Sequence, residues 1–340
     1  MRAAVIRTPG SPPDATEHPA PTSGPGQSLV DVTAAAITPL DLLCASGTSY
    51  FGAPATPYVP GVAGVGVVRA SDVLAPGTRV WFATSAGMAP GDGSMAEHSV
   101  VPDADLVPLH GTAAGTAADA AVDDAVVAAL GLSAVAAWNV LTLRARLAPG
   151  ETVLVLGAGG VVGQVAIRAA RLLGAGRVVG AARSAGHRER AVAIGADAAV
   201  ALPSGPGSDD QAAVDEMAAA FEAACEGRAD VVVDPLCGLP ATAAARVLAV
   251  HGRLVNLGST AGASAVWDSA SLRSGTASIL GYTNNDLSSE QRRDALLAVV
   301  GHAARGDIVV DHERVPLEDA ATGWERQVSG TANGRVVLTV

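Results

Sequence analysis

Apolar and polar positions fall into two regimes along the chain. Between residues 151 and 257, short apolar runs alternate with longer stretches whose apolar residues recur three or four apart. Val153 to Leu156, Val178 to Ala182, Ala198 to Ala201, Asp230 to Asp234 and Arg253 to Leu257 are too short for helices. Their Val and Leu content suits buried parallel strands. Gln164 to Leu173 sets Val165, Ala166, Ala169 and Leu172 at helical spacing, and Gly174 and Gly176 end that helix. Glu189 to Ile194, Ala212 to Cys225 and Ala241 to Val250 read as further helices, with a loop from Pro203 to Asp210. This alternation predicts an α/β region: a doubly wound parallel sheet with helices on both faces.

Residues 1–110 read differently, as an antiparallel β-rich region with Pro/Gly turns. Arg2 to Arg7, Ser28 to Ala36, Gly61 to Ala70, Gly77 to Ala83 and Glu97 to Val101 are candidate strands. A Pro-heavy loop spans Pro9 to Pro25, an irregular loop residues 48–60, and a mobile loop Ala89 to Ser94. Short strands at this spacing suggest a partly closed barrel. The glycines of GVAGVGVVRA mark places where a strand curves or another backbone comes close. Ala114 to Leu147 is Ala-rich and helical, interrupted at Gly131-Leu132-Ser133, and Pro149-Gly150 punctuates its end. After a last strand at Ile279 to Tyr282 come a helix from Ser289 to Arg305 capped by Ser288 or Ser289, and a strand near Val309. A helix from Glu318 to Gln327 and a strand from Arg335 to Val340 follow. These last 50 residues look α+β, not βαβ, and are expected to rejoin the N-terminal region. The domain boundaries expected are 1–125 with 286–340, and 126–285.

The strand at Val153 runs into Gly157-Ala158-Gly159-Gly160-Val161-Val162-Gly163 and then into a helix. Strand, glycine turn, helix, strand is the unit that binds dinucleotides: backbone approaches the diphosphate, and the helix N-terminus offers N–H groups and a positive dipole. The strict G-x-G-x-x-G is absent; from Ala158 the turn reads A-x-G-x-x-G through Gly160 and Gly163. NAD sites usually place a carboxylate at the end of the second strand for the ribose 2′-OH. Here that strand ends Ala181-Ala182-Arg183-Ser184, with no carboxylate before Glu189 and with Arg188 and Arg190 close behind. A guanidinium matches a 2′-phosphate in charge and planarity, which favours NADP over NAD.

Composition narrows the partners. The net charge of −11 argues against nucleic acid or an anionic membrane surface. No apolar stretch is read as approaching the roughly 20 residues that span a bilayer. The opening MRAAVIRTPGSPPD, charged and Pro-broken, is unlike a signal peptide. Cys44, Cys225 and Cys237 form no C-x-x-C pair and read as reduced thiols of a cytoplasmic protein.

End to end the chain resembles the medium-chain dehydrogenase/reductase superfamily, specifically its zinc-free quinone oxidoreductase branch. The resemblance is carried by RAAVI, AAAITPLDLLCASG, PYVPGVAGVGVV, GTRVW, MAEHSVVPDADLVPL and ALGLSAVAAWNVL. It continues through LAPGETVLVLGAGGVVGQVAIRAARLLGA, GRLVNLGS and NGRVVLTV. It implies a Rossmann domain beside a GroES-like catalytic domain, an active site in the cleft between the lobes, and a homodimer. Zinc members hold their metal with Cys, a His-Glu pair and Cys or Asp; here those positions align with Thr38, Val62-Ala63 and Leu130, which supply no ligand set. The closely spaced cysteines of a structural zinc lobe are missing, and His18, His98, His110, His187, His251, His302 and His312 show no H-x-x-x-H spacing. The reading is metal-free.

The same resemblance places Ser133 near the nicotinamide carboxamide and Gly258 and Ser259 near the cofactor, joining Ala158, Gly160, Val161, Val162, Gly163, Arg183, Ser184 and Arg188 as its expected binding residues. Thr38 opens TPLD where relatives have Asn, and so offers one donor in place of two. Tyr50 is offset by one from the tyrosine that donates a proton in related enoyl-thioester reductases; it either donates or lines the pocket. Tyr50, Phe51 and Tyr58 would give a planar acceptor a flat wall, and core packing explains them nearly as well. Without a Lewis acid, hydride transfer is easiest to an acceptor that delocalises the incoming charge, a quinone or α,β-unsaturated carbonyl, reduced by NADPH. Tyr50, Thr38, Ser133 or water would supply the proton. The alternatives are an enoyl-thioester reductase of a fatty-acid or polyketide pathway, and an NADPH-binding protein without catalysis.

Overall fold

A computed structural model describes residues 1–109, 122–203 and 211–340. His110, the first part of the Ala-rich stretch and most of the Pro203 to Asp210 loop lie outside the described residues. The chain forms two compact units, Met1–Leu132 with Ser288–Val340, and Ser133–Leu287.

The first unit begins with β1 (Arg2–Val5), β2 (Asp14–Glu17), β3 (Gln27–Ala36), α1 (Pro39–Ser46), β4 (Ala63–Ala70), β5 (Arg79–Ala83), β6 (His98–Pro102) and β7 (Leu106–Pro108). The Pro-heavy loop contains β2, which pairs antiparallel with β1. In β4 the expected close backbone approach is real: a Cβ on Gly66 would stand 2.3 Å from the Asp31 carbonyl oxygen of β3. The segment 89–94 is tied down, since Gly93 N donates to Val59 O at 2.8 Å and Asp92 Oδ1 accepts from Val59 N at 2.8 Å.

Next is α2 (Asp124–Asn139), kinked at Gly131 (φ 37°, ψ −141°), where the sequence interruption was expected. With the π-helical turn Val140–Arg144 it makes a helix of 21 residues that is long and apolar enough to cross a membrane, so the expectation that no stretch reaches that length is corrected. Its most apolar window is 67% buried within the protein, as befits a core helix.

The second unit continues with β8 (Thr152–Leu156), α3 (Val161–Leu172), β9 (Arg177–Ala182), α4 (Ala185–Ala193), β10 (Ala198–Ala201), α5 (Gln211–Cys225) and β11 (Ala229–Asp234). It ends with α6 (Gly238–Arg246), β12 (Leu248–Asn256), α7 (Ser269–Gly275) and β13 (Ser278–Gly281). Six parallel strands stand in the order β10-β9-β8-β11-β12-β13. This is the doubly wound dinucleotide-binding order, with its reversal between β8 and β11. Strand side chains such as Leu154, Leu156, Val179 and Leu254 bury against Met217 and Phe221 of α5. The helix expected over Ala241 to Val250 ends early because Leu248 already pairs with Ala229; the register then shifts, leaving Val250 67% exposed and His251 at φ 62° in a bulge.

The chain returns to the first unit with α8 (Ser289–Ala304), β14 (His312–Pro316), α9 (Ala320–Ser329) and β15 (Arg335–Thr339). A Ser288/Gln291 capping box starts α8. The strand placed near Val309 begins instead at His312, which pairs with Arg335, and β14 and β15 run parallel with α9 between them. The C-terminal region therefore holds a βαβ crossover, contrary to expectation. The path β14-β15-β3-β4-β5-β7, with β6 on β3, does not close on itself among the described residues.

An ion pair clamps the start of β8. Both guanidinium Nη atoms of Arg253 donate to Glu151, at 2.7 and 2.9 Å, while Ala148 N donates to Oε2 at 2.8 Å. Burial pushes the Glu151 carboxyl up, but the Arg253 fork and the Ala148 N–H outweigh it and hold the group below the usual carboxylate range. A depressed carboxylate stabilises the fold above its unfolded-state value, and that contribution disappears as pH falls through the folded value. Glu151→Gln is expected to cost about 1–2 kcal/mol at pH 7 and progressively less below pH 4.5, read by urea unfolding of both proteins across that range. An equal loss at pH 7 and pH 3 contradicts this assignment.

Candidate functional site

Four residues, Gly157-Ala158-Gly159-Gly160, carry the chain from β8 into α3. Gly157 takes φ +68°, a left-handed conformation open to glycine at little cost. A Cβ on Gly163 would stand 2.4 Å from Gly157 O and 2.6 Å from Ala158 Cα. The first turn of α3 can thus rest on the glycine turn only with a bare α-carbon there. Ala158 N donates to Ala181 O at 2.9 Å, fastening the turn to β9. Gly160 is the N-cap and leaves the helix without a side-chain cap. The space its own Cβ would fill is open, with Gly157 O the nearest atom at 3.7 Å. The N–H groups of Val161, Val162 and Gly163 lie in the first turn, where a helix has no partner of its own for them. Open space before uncapped donors at a helix N-terminus fits the diphosphate of a dinucleotide.

At the end of β9, Arg183 and Ser184 are exposed. Among the described residues the Arg183 guanidinium has no hydrogen-bond or ion-pair partner. Ser184 caps α4 by accepting from His187 N at 3.2 Å, which leaves its own proton to donate. Arg188 Nη1 donates to Arg183 O at 2.6 Å and Ala182 O at 3.3 Å, bracing the strand end.

The loops after β11 and β12 complete the carboxyl edge of the sheet. Asp234 is fully buried; Oδ1 accepts from Leu236 N at 2.9 Å and Cys237 N at 2.8 Å, and Oδ2 from Asn256 Nδ2 at 2.8 Å. This shapes a loop whose Pro235 and Leu236 lie 3.2 Å from the Cβ position of Gly157. Burial pushes the Asp234 carboxyl up against the pull of those donors. Gly258 fits under Pro235, with a Cβ there only 2.6 Å from Pro235 O, and Ser259 beyond it is exposed. Ser133 lies two residues past the kink of α2, half-buried. Sequence reading passed over Asp234 and Asn256; an Asp at a predicted strand end before Pro was the available signal.

In the first unit Thr38 is the N-cap of α1. Its hydroxyl donates to Asp41 Oδ2 at 2.6 Å and accepts from Asp41 N at 3.2 Å. A hydroxyl has one proton, and this one is committed to Asp41, so the expected donor role is replaced by capping. Thr38 N also donates to Oδ2, at 2.8 Å, while Oδ1 accepts from Gly61 N at 3.1 Å and Val62 N at 2.9 Å. Burial pushes the Asp41 carboxyl up, opposed by these donors and by the charge of Arg335. Tyr50 is 79% exposed and stacks on Phe51 with centroids 4.2 Å apart, whereas Tyr58 is buried in the core and bonded through its backbone to Ile6. The expected three-ring wall is therefore a pair. Burial pushes the Cys44 thiol up to about 11, and all three cysteines are free. Among the described residues no three His, Cys, Asp or Glu side chains gather where they could hold a metal.

The two glycines make separable demands. Gly163→Val is expected to drive α3 off the turn, lowering the melting temperature and abolishing dinucleotide binding. Gly160→Val should keep the melting temperature within a few degrees and abolish binding alone, checked by thermal unfolding and calorimetry on both variants. Full affinity in Gly160→Val would mean the turn has another purpose.

Two family models match the chain: an alcohol dehydrogenase GroES-like domain over residues 24–111, and a zinc-binding dehydrogenase over 161–300. A phenolphthiocerol/phthiocerol polyketide synthase subunit of Mycobacterium tuberculosis is 29% identical over 244 residues, covering 68% of this chain and 10% of that protein. The trans-enoyl reductase tazE of Aspergillus terreus is 30% identical over 213 residues, covering 58% of this chain and 66% of its own. The chain thus spans a tenth of the first relative and just under two-thirds of the second. The quinone oxidoreductase of Thermus thermophilus, solved also in complex with NADPH, superposes with a TM-score of 0.78 at 24% identity over 100% of both chains. With the strand order and the glycine turn, these matches show that the chain belongs to the medium-chain dehydrogenase/reductase superfamily of oxidoreductases.

Proposed function

We propose that this oxidoreductase transfers a hydride from NADPH to a quinone or an α,β-unsaturated carbonyl, without a catalytic metal. The observation that carries the cofactor choice is the end of β9, where, among the described residues, Arg183 presents an unpartnered, exposed guanidinium and the strand end carries no carboxylate for a ribose 2′-OH. Gly160 and the first turn of α3 would receive the diphosphate, Arg183 and the Ser184 hydroxyl the 2′-phosphate, and Gly258, Ser259 and Ser133 the nicotinamide half. When bound, NADPH supplies the hydride. The metal-free reading rests on chemistry: Thr38, Val62, Ala63 and Leu130 offer one hydroxyl between them, and that hydroxyl is spent on Asp41. An acceptor that spreads charge over its own conjugation needs only hydrogen-bond donors and a proton, and the exposed Tyr50 is the donor proposed.

A second reading, reduction of an enoyl thioester, is favoured by relatives named as a trans-enoyl reductase and a polyketide synthase subunit. Both readings keep the protein in solution as a homodimer of the cytoplasm acting on a small molecule.

Purified protein given NADPH and a panel of quinones, enones and crotonyl thioesters should consume NADPH at the absorbance of the reduced nicotinamide. A thioester that outruns every quinone selects the second reading, and no turnover at all removes both. Arg183→Ala should raise the KM for NADPH about tenfold or more and spare NADH, from the charge-assisted contact it loses; equal effects on the two cofactors contradict the 2′-phosphate assignment. Tyr50→Phe should lower kcat by about a hundredfold if the phenol donates the proton, and an unchanged kcat leaves that step to water.

A further inference from the structure

The ring of His187 lies against the glycine turn. A Cβ built on Gly159 would stand 2.5 Å from His187 Cγ and 2.6 Å from Nδ1, so the imidazole occupies the side-chain space that Gly159 leaves empty. Ser184 holds it there by capping the His187 N–H in the first turn of α4. The side chain is exposed, and among the described residues its ring has no hydrogen-bond or ion-pair partner. His18, His98 and His302, in contrast, each face an aspartate. The imidazole thus stands against Gly159, one residue before the uncapped start of α3, on the helix whose N-cap, Ser184, follows Arg183.

Resting on the NADPH reading above, we propose that His187 is a phosphate-binding residue of this site, and that its protonation makes affinity for the phosphorylated cofactor rise as pH falls. The charged groups on the elements around the ring favour this. Arg183 at the end of β9 is unpartnered; on α4, Arg188 Nη1 is turned onto carbonyls, and Glu189 and Arg190 follow. The glycine turn and the first turn of α3 carry no charge. Beyond Gly157, the nearest carboxylate of the β11 loop, Asp234, is buried on its own three donors and unavailable to pair with the ring. Among the described residues no carboxylate is paired with the imidazole, which leaves its N–H to a bound phosphate. A neutral imidazole gives it one N–H donor, whereas a protonated one gives two donors and a positive charge.

Calorimetric titration with NADP⁺ and NAD⁺, whose oxidised forms survive acid, tests this between pH 5.5 and 8.5 at fixed ionic strength. Because the 2′-phosphate itself gains a proton over this range, the quantity read is the ratio of wild-type to His187→Gln affinity. Wild-type protein is expected to bind NADP⁺ about tenfold more tightly than the variant at pH 5.5, the ratio falling to about one at pH 8.5. It should also take up a proton on binding near neutral pH, seen by titrating in buffers of different ionisation enthalpy. The same ratio with NAD⁺ assigns the contact to the diphosphate; a ratio seen with NADP⁺ alone assigns it to the 2′-phosphate. Gly159→Ala, which displaces the ring while keeping it in the chain, should lose the pH-dependent part as His187→Gln does. A ratio flat in pH, or full pH dependence retained by Gly159→Ala, overturns the role of His187 while the NADPH reading stands. Failure of wild-type protein to bind either dinucleotide at any pH overturns the NADPH reading itself.

Discussion

One close approach governs the nucleotide-binding unit: α3 must descend onto the end of β8. With Gly157 O only 2.4 Å from where a Cβ at Gly163 would be, this contact admits no side chain. What it gains is the placement of a helix N-terminus, with N–H groups and dipole, at the carboxyl edge of the sheet and beside the β8/β11 reversal. The neighbouring turns are fitted to that contact. Ala158 is tied to β9, Pro235 and Leu236 close over Gly157, and Gly258 slips beneath Pro235.

Buried carboxylates brace the loops of both units. Asp234 folds the β11 loop around its two oxygens, and Asp41 gathers the start of α1 with Gly61 and Val62. Each is surrounded by donors that offset part of the desolvation penalty, yet burial still raises both carboxyls. In the first unit this has a chemical consequence. Thr38, which the resemblance aligns with a metal-ligand position of zinc members, is a helix cap whose proton already has an acceptor.

The parallel sheet was legible because its strands are buried on both faces and read as unbroken apolar runs, and because glycines punctuate β8, α3 and β9. Legibility failed where tertiary contacts overrode local pattern. Leu248 to Val250 continue a helical spacing, yet Leu248 is claimed by Ala229 and the strand starts there. Thr38-Pro39 and Asp41 spell a capping box and an N1 proline, but eight residues of PLDLLCAS are too few for periodicity to stand out. Of the site residues, those of the glycine turn were legible in its strand–turn–helix pattern. For Arg188, charge shows in a sequence and side-chain direction does not; its Nη1 turns back onto its own strand end. His187 looked like any surface histidine, since its meeting with Gly159 exists only once α4 packs beside the turn.

A reaction of this kind puts the difficult chemistry in the nucleotide and asks the protein for alignment and a proton. The step proposed is direct, metal-independent hydride delivery to a conjugated carbon. Chelator-treated protein turning over cofactor deuterated at the transferring C4 position with an α,β-unsaturated carbonyl, the product examined by mass spectrometry, tests this step most directly. Direct hydride delivery predicts deuterium at the β-carbon and a rate indifferent to added zinc. Product without deuterium, or turnover that returns only when zinc is restored, would contradict it.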